Sequence, residues 1–315
     1  PITKEKLILR INTASQMNLS NQIEYEYKAL LALEESKRTP KVLYVDGSKK
    51  HIDYGVLVMN FLPGEDLDYE KDLYIAANCL ADIHSVTLEE KSHLLCPNNP
   101  LQAIIDECKT MVQTYYDSPL ADENKKKQIE RMLNIGQEMI INTGEYKGRR
   151  CIINTELNSS NFLINGEKEE NYIIDWEKPI QGEPAQDLGH FLAPTTTFWK
   201  TDIILSQEEI ESFTKEYIRV VGNRFDTGNI EERLKLYLPI TCLRGITWCA
   251  MAWVQYKDPH KLIRNEFTEK KLDAYLSTEF LDMIEKSLKS YYKTPVKRRI
   301  LVKQDKMQII KFEKI

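Results

Sequence analysis

The hydrophobic periodicity of this chain changes twice, and that change limits the folds it can adopt. Short runs of β-type residues lie near the N-terminus at Leu7–Ile11, Val42–Val45 and Gly55–Phe61. A helical pattern, Asn18–Glu35, separates the first run from the second, and helical spacing dominates after the third. Residues 151–176 interrupt the later helices with short apolar strands and polar turns. We therefore predict an α+β fold, with a small sheet-plus-helix lobe followed by a mainly helical lobe.

The predicted boundary between the lobes lies at the Pro63-Gly64 turn that ends the third strand. We assign residues 1–62 to the first lobe and residues 63–315 to the second. Pro194–Phe198 is predicted to be a polar loop, and the tail beyond Ile300 is expected to form a hairpin. Helices of the second lobe are predicted at Tyr69–His84, Leu101–Tyr116, Asn124–Ile141, Gln207–Val221, Ile230–Tyr256 with a bend at Pro239, and Glu269–Tyr292.

Charge is distributed unevenly along the 315 residues. The net charge is −5, yet residues 286–315 contain ten Lys or Arg against two Asp or Glu, so the remainder is strongly acidic. An acidic body repels phosphate backbones, which argues against nucleic acid as the main partner. It would suit a cationic small molecule, although solvated surface is the commoner explanation of such excesses.

A zinc or disulfide protein and a membrane protein are also disfavoured. No pair among the six cysteines has the spacing of a zinc knuckle or a redox motif, and no signal peptide is visible, so we predict a reducing, cytoplasmic location. The longest weakly charged stretch, Leu238–Val254, contains Pro239 and Arg244 and is too short to span a membrane comfortably. We predict that it is a buried helix and that the protein has no membrane partner.

The residues with the clearest chemistry lie in the 151–176 region. Glu156, Asn161 and Asp175 are predicted to lie at the ends of adjacent short strands. Such a set suits phosphoryl transfer, in which one carboxylate takes the proton of an attacking hydroxyl while a carboxamide and a second carboxylate hold Mg²⁺ on the phosphates. Without the Asp175 strand and the Asp187 segment, the favoured interpretation of Asn154, Glu156, Asn158 and Asn161 would be that they satisfy backbone turns.

The spacing and order of several segments narrow the choice. In protein kinases an Asn follows the catalytic Asp by five residues, and Asn161 follows Glu156 at the same interval. Five segments between Leu7 and His190 resemble, in the same order, the aminoglycoside phosphotransferase and choline kinase family of kinase-like small-molecule phosphotransferases. These segments are Val58–Glu65, Ala81–His84, Asn158–Ile164, Ile174–Glu177 and Gly182–His190.

The resemblance implies a two-lobed, protein-kinase-like fold and an enzyme that transfers the γ-phosphate of ATP, or of GTP, to a hydroxyl of a small molecule with the help of Mg²⁺. The family's acceptors include aminoglycosides, choline, homoserine and sugars, so an aminoglycoside, an amino alcohol or a sugar is the kind of acceptor that the resemblance implies. The resemblance implies catalysis by Glu156 and Asn154 and metal binding by Asn161 and Asp175. It implies phosphate binding by Arg10, with Glu26 as its ion-pair partner, and adenine binding by the backbone of Asn60 and Leu62. Asp187 would brace the catalytic loop.

Three departures from the family pattern bear on activity. Glu156 replaces the family Asp, and its extra methylene moves the carboxylate by about 1 Å, which can cost on the order of 10²-fold in rate. Asn154 replaces the family His and cannot titrate. No Gly precedes Gly47, whereas the family has a Gly-rich turn before the Arg10 segment. We expect either a further N-terminal segment in the natural chain, which we favour, or a less enclosed nucleotide.

Alternatives to a small-molecule kinase stay open. The departures suit a kinase-like domain that binds nucleotide without catalysis, whereas a protein kinase is disfavoured because no Ala-Pro-Glu segment follows Asp175 and the stretch to Pro194 is short. Trp199 could line an acceptor site for an ammonium group, although core packing is the commoner role. His84 and His190 are expected to be core or capping residues. The sequence leaves the acceptor and the oligomeric state undetermined.

Overall fold

The chain forms a small lobe of one sheet with one helix and a larger, mainly helical lobe, which confirms the predicted α+β class. The structure is a computed structural model. It describes residues 4–15, 17–88, 92–141, 143–258 and 265–293. The hairpin predicted beyond Ile300 lies outside these residues.

The strands of the small lobe are short runs rich in Leu, Ile and Val residues. Its strands are β1 (Leu7–Asn12), β2 (Val42–Asp46) and β3 (Gly55–Asn60), which pair antiparallel in the order β1-β3-β2. Helix α1 (Gln22–Leu33) packs on β2 and β3, and Asn21 caps it by accepting the Glu24 N–H. The central strand β3 is therefore covered by α1, and β1 carries Arg10 at the edge of the sheet.

Helices account for most of the larger lobe. They are α2 (Leu73–Ser85), α3 (Pro100–Tyr116), α4 (Glu123–Ile140), α5 (Pro184–Leu192), α6 (Pro194–Thr201), α7 (Gln207–Val221), α8 (Ile230–Lys257), α9 (Glu266–Tyr275) and α10 (Thr278–Lys293). The region predicted as one helix, Glu269–Tyr292, is instead two, because the chain turns at Leu276 and the Ser277 hydroxyl accepts the Phe280 N–H at the start of α10. No helix in the described part of the chain is long and apolar enough to cross a bilayer.

The prediction of a polar loop at Pro194–Phe198 is wrong, because this segment begins α6. Proline suits the first turn of a helix, where its missing N–H would have no partner in any case. The Thr197 hydroxyl donates to the Ile203 carbonyl and so satisfies a group just beyond the helix end. The three threonines of this segment are buried, so they pack inside the protein and do not form an exposed polar loop.

Helix α8 is the centre of the larger lobe and continues through Pro239. Most of its side chains between Leu236 and Ala252 are buried, which confirms the predicted buried helix. It packs on α3 and α5. A Cβ added at Gly189 of α5 would lie 2.6 Å from the Tyr237 Cβ, so the close approach of α5 to α8 requires glycine there.

Two short antiparallel pairs of strands carry the polar region between the helices. Strand β4 (Cys151–Ile153) pairs with β7 (Ile180–Gly182), and β5 (Phe162–Leu163) pairs with β6 (Tyr172–Ile173). The sequence pattern did not indicate β7, which has only three residues. Because β4 and β7 are paired, the loop that follows β4 lies against the segment between β6 and β7.

Candidate active site

The loop after β4 is held by one buried carboxylate. Asp187, in the first turn of α5, accepts the backbone N–H groups of Asn154 and Thr155, each at 2.8 Å. The same carboxylate contacts His84 Nε2 at 3.3 Å, and His84 Nδ1 lies 2.9 Å from the Tyr217 hydroxyl. Both Asp187 and His84 are fully buried, so they fix the start of the loop from within the core.

The Asn154 side chain links the two acids of the site. Its Nδ2 donates to the backbone carbonyl of Asp175 at 2.9 Å, and its Oδ1 accepts the Glu156 N–H at 3.2 Å. Thr155 and Asp175 have φ angles of 74° and 63°, so the chain turns sharply at both positions. One carboxamide therefore connects the backbone at Asp175 to the backbone at Glu156 through two hydrogen bonds.

A cavity of about 540 Å³ lies between the two lobes on one side of this loop. It brings together six of the residues singled out by the sequence, namely Arg10, Glu26, Asn60, Leu62, Asn161 and Asp175. Apolar side chains of both lobes, including Met59 and Trp176, line the rest of the cleft, and Lys200 of α6 reaches it from the larger lobe. The cleft thus combines an apolar wall with a charged end.

Arg10 is the centre of that charged end. Its Nε lies 2.9 Å from Glu26 Oε2, its Nη1 lies 3.1 Å from Asp175 Oδ1, and its Nη2 lies 2.8 Å from Glu177 Oε2. Burial raises the pKa of Glu26 to about 7, although Arg10 acts in the opposite direction. The guanidinium is therefore held by three carboxylates at the cavity surface, where it can also meet an anionic ligand.

The candidate metal ligands lie close to this arginine. The Asp175 side chain is 46% exposed to the cleft, and Asn161 is held in place because its Oδ1 accepts the Asn158 N–H at 2.7 Å. Among the described residues no group of three or more His, Cys, Asp or Glu side chains could hold a metal ion. A cation here would therefore need oxygen atoms from a bound ligand and from water to complete its coordination.

A second cavity, of about 220 Å³, lies on the other side of the loop, where Thr155 lines it and Glu156 contacts two of its lining residues. Glu156 Oε1 lies 2.7 Å from Lys178 Nζ and 3.3 Å from Arg244 Nη2, and both cations line this cavity. Burial opposes ionisation of Glu156, but Lys178 and Arg244 outweigh it and hold the pKa below its usual value. Arg244 also pairs with Glu107 through two hydrogen bonds of 2.8 and 3.0 Å.

The polar residues of the second cavity were not predicted from the sequence. Glu107 comes from α3, Lys178 from the turn before β7, Gln186 from α5 and Arg244 from α8. The one signal in the sequence was Arg244, a charged residue inside an otherwise apolar stretch. A charged residue needs a partner of opposite charge once it is buried. His190 also lines the cavity, and burial together with Arg244 lowers its pKa to about 4.

Trp199 has a packing role in the described structure. Its ring lies 5.4 Å from that of Trp248 and 5.6 Å from that of Tyr275, both in edge-on contacts. It is absent from the described lining of both cavities. Of its two predicted roles, the geometry therefore favours core packing.

Two lobes that meet at a braced polar loop define a kinase-like architecture. The family model of APH, the phosphotransferase enzyme family, matches residues 2–224, which is most of the chain. The chain therefore belongs to that family. A sequence comparison with curated proteins finds no match.

Solved structures of kinases and phosphotransferases share the fold at low sequence identity. The microcompartment-associated aminopropanol kinase is 14% identical, with a TM-score of 0.65 over 92% of this chain and 88% of that chain. A spectinomycin phosphotransferase in complex with ADP and spectinomycin is 12% identical, with a TM-score of 0.59 over 91% and 86%. A choline/ethanolamine kinase family protein from Mesorhizobium loti is 17% identical, with a TM-score of 0.55 over 90% and 87%. These likenesses confirm the predicted kinase-like fold.

Proposed function

We propose that the protein transfers the γ-phosphoryl group of ATP, or of GTP, to a hydroxyl group of a small molecule in a Mg²⁺-dependent reaction. The observation that carries this proposal is that one braced loop lines two cavities. Asn161 lies on the side of the interlobe cleft, Thr155 on the side of the second cavity, and Glu156 between them contacts residues of the second. A phosphoryl donor and an acceptor bound on opposite sides would meet at this loop.

The interlobe cleft suits the nucleotide. Its apolar wall would cover the base, and the backbone of Asn60 and Leu62 would supply hydrogen bonds to it at the link between the lobes. Arg10 would neutralise phosphate oxygens at the charged end, and its planar fork suits two oxygens at once. Glu26 keeps the guanidinium oriented toward the cleft. Solved structures of the same fold that contain ADP or AMP support a nucleotide as the ligand of this protein.

Asn161 and Asp175 fit the metal that such a reaction needs. Mg²⁺ prefers oxygen ligands and keeps several waters, so two protein ligands suffice when phosphate oxygens supply others. When bound, the ion would neutralise charge on the phosphates and orient them. On the acceptor side, Glu156 would accept or orient the proton of the attacking hydroxyl, and Asn154 would fix its distance from the metal ligand.

Two substitutions test these roles separately. Asp175→Ala should abolish Mg²⁺-dependent nucleotide binding measured by calorimetry, because it removes the exposed ligand of the cleft. Glu156→Gln should keep nucleotide binding but lower turnover by about 10²- to 10⁴-fold, which is the range for general-base catalysis. Asp53→Ala and Glu232→Gln change exposed residues and serve as controls. An Asp175→Ala variant that binds Mg·ATP as the parent does would show the metal assignment to be wrong.

One observation favours a nucleotide-binding module without catalysis as a second candidate. Lys178 and Arg244 both hold Glu156 and lower its pKa, which makes it a weaker base. Such a module would be stabilised against heat by Mg·ATP but would transfer phosphate to no polyol, amino alcohol or hydroxy acid. Phosphate transfer to any of these acceptors that depends on Glu156 would exclude it.

A further inference from the structure

We propose that the acceptor is a small hydroxy acid, an alcohol that also carries a carboxylate, and that Arg244 and Lys178 bind this carboxylate in the second cavity. The inference rests on the proposed phosphotransfer function and names the class of its second substrate. It differs from the cationic acceptor suggested by the acidic composition, because the groups that line the cavity, and not the net charge of the surface, decide what it binds.

The two cations of the cavity have hydrogen-bond donors to spare. The hydrogen bonds of Arg244 to other described residues come from Nε and Nη2, so Nη1 keeps its hydrogens. The Lys178 ammonium has three donors, and its one hydrogen bond within the described structure goes to Glu156. Both side chains line the cavity and are about one-fifth exposed, 19% for Arg244 and 20% for Lys178. Their remaining donors suit a carboxylate.

The carboxylate that lines the cavity, Glu107, and the adjacent Glu156 have little capacity left, in contrast, for a cationic acceptor. Both oxygens of Glu107 are engaged by Arg244, and Glu156 Oε1 is shared by Arg244 and Lys178. The other oxygen of Glu156 is needed for the acceptor hydroxyl under the proposed mechanism. An ammonium group would therefore have to displace Arg244 from Glu107, whereas a carboxylate meets cations that still have donors.

Gln186 supplies an independent sign that a polar ligand belongs in this cavity. It lines the cavity, is only 9% exposed, and its Oε1 has no hydrogen-bond partner within the described structure. A buried acceptor without a partner costs about 1–3 kcal/mol, so such groups are uncommon unless a ligand or water satisfies them. The oxygen itself is almost fully covered, so a rotation of the Gln186 amide would bring it to a second hydroxyl or an amino group of the acceptor.

The size and walls of the cavity fix the scale of the acceptor. Its volume of about 220 Å³ is below the range of roughly 300–1,000 Å³ found for drug-sized ligands, so it suits a molecule of a few carbon atoms. The apolar residues Met17, Ile104 and Ile180 line it beside the charges. Because apolar walls exclude water, they strengthen the attraction between a bound carboxylate and the two cations.

A panel of acceptors that differ mainly in charge tests the inference. Glycerate, glycerol and serinol are three-carbon alcohols that are anionic, neutral and cationic, and L-serine and L-homoserine add zwitterionic hydroxy acids. With Mg·ATP, the parent protein should phosphorylate the carboxylate-bearing alcohols with kcat/KM values about 10- to 100-fold above those for glycerol and serinol, as expected for a charge-assisted contact.

Substitution of the two cations tests their role. Lys178→Met and Arg244→Met should each lower the glycerate-to-glycerol ratio of kcat/KM by about 10-fold or more, mainly through KM. Arg244→Lys should restore part of that ratio because it keeps the charge. Lys168→Met, at an exposed position in the turn between β5 and β6, is the control and should leave the ratio unchanged. If Arg244→Met fails to fold, Lys178→Met still tests the inference, because Lys178 lies in the turn before β7 and not in the central helix α8.

The outcomes separate this inference from the proposed function. A parent protein that neither binds nor uses Mg·ATP overturns both. Consumption of Mg·ATP with serinol, choline or an aminoglycoside as the best acceptor overturns only the inference. It is also overturned if Mg·ATP is consumed and no carboxylate-bearing alcohol exceeds its neutral counterpart, or if the two Met variants keep the parent ratio.

Discussion

The two sides of the loop after β4 differ in how their residues are distributed along the chain. On the side of the cleft, Asn161 and Asp175 come from one short polar region, and Arg10 and Glu26 come from one strand and the helix that follows it. On the side of the second cavity, Arg244 contacts Glu107 across a separation of 137 residues. Local segments thus build the first site, and the packing of distant helices builds the second.

This difference indicates which part of the protein can vary in specificity. A site assembled from a strand, a loop and a turn depends on the backbone of those segments, so changes there affect binding and chemistry together. A site assembled from side chains of α3, α5 and α8 can change its ligand by substitutions that leave the loop untouched. The charge pair of Arg244 and Glu107 is such a feature.

The largest effect of a substitution is expected at Asp187, because this carboxylate holds the loop that lines both cavities. Asp187→Ala removes the acceptor for the backbone N–H groups of Asn154 and Thr155 inside the core. Buried donors without partners cost about 1–3 kcal/mol each, so the free energy of unfolding should fall by about 3 kcal/mol, and nucleotide binding and turnover should both fall. Urea denaturation, calorimetry and phosphate release measure the three quantities.

A matched variant sharpens this test. Asp187→Asn keeps one carbonyl oxygen that can accept a backbone N–H, so it should lose less stability than Asp187→Ala. Should Asp187→Ala keep the stability of the parent, or impair only one of the two sites, the shared support described here would be wrong.

A smaller effect, confined to one side, is expected for Arg10→Met. Loss of the guanidinium should raise the nucleotide Kd by about 10- to 100-fold, because contacts between a charged donor and an anion contribute about 1.5–3 kcal/mol. The KM for the acceptor should not change, since Arg10 lines the cleft and lies outside the described lining of the second cavity. Arg10→Lys should recover part of the loss, and the exposed Lys50→Met is a control. An equal rise in the acceptor KM would contradict the separation of the two sides.

The smallest effect is a difference in how the two sides respond to pH. His190 has a pKa lowered to about 4 by burial and Arg244, so the unfolded chain binds the proton first. The contribution of His190 to the free energy of unfolding is therefore fully present above about pH 6.5 and is lost as the pH falls toward 4. Glu26 has a pKa raised to about 7 by burial, so its contribution has the opposite sign and increases as the pH falls from 7 toward 4.5.

Two variants separate these contributions. His190→Asn should reduce the loss of stability between pH 6.5 and pH 4, and Glu26→Gln should reduce the gain between pH 7 and pH 4.5, each by about 1–2 kcal/mol. Thermal or urea unfolding across this range without ligand measures both. Parallel pH profiles for the parent and both variants would show that neither group titrates as the structure indicates.

The sequence singled out residues that converge on the interlobe cleft because their signals are local. The five-residue interval between Glu156 and Asn161 and the short strand before Asp175 can be recognised in one segment. Some element boundaries also follow from local chemistry, although α1 begins at Gln22, capped by Asn21, and not at Asn18. The roles of these residues stay predictions, whereas their convergence on one cleft is a property of the described structure.

The second site could not be predicted because no local pattern connects its parts. Arg244 was treated as an interruption of an apolar helix, and nothing in the sequence indicates that Glu107 is its partner. Lys178 precedes β7, a strand of three residues that is too short to produce an alternating pattern. The position of these side chains depends on how α3, α5 and α8 pack, and periodicity does not determine the register of that packing.

Asn154 has a consequence for how the two acids act together. Its neutral amide joins the Asp175 carbonyl to the Glu156 amide, at the position where the family pattern that the sequence resembles has a histidine. An imidazole gains a proton near neutrality and then loses its ability to accept, but a carboxamide has the same donor and acceptor in acid and in base. The alignment of donor and acceptor substrates across this loop should therefore be insensitive to the acidity of the surroundings.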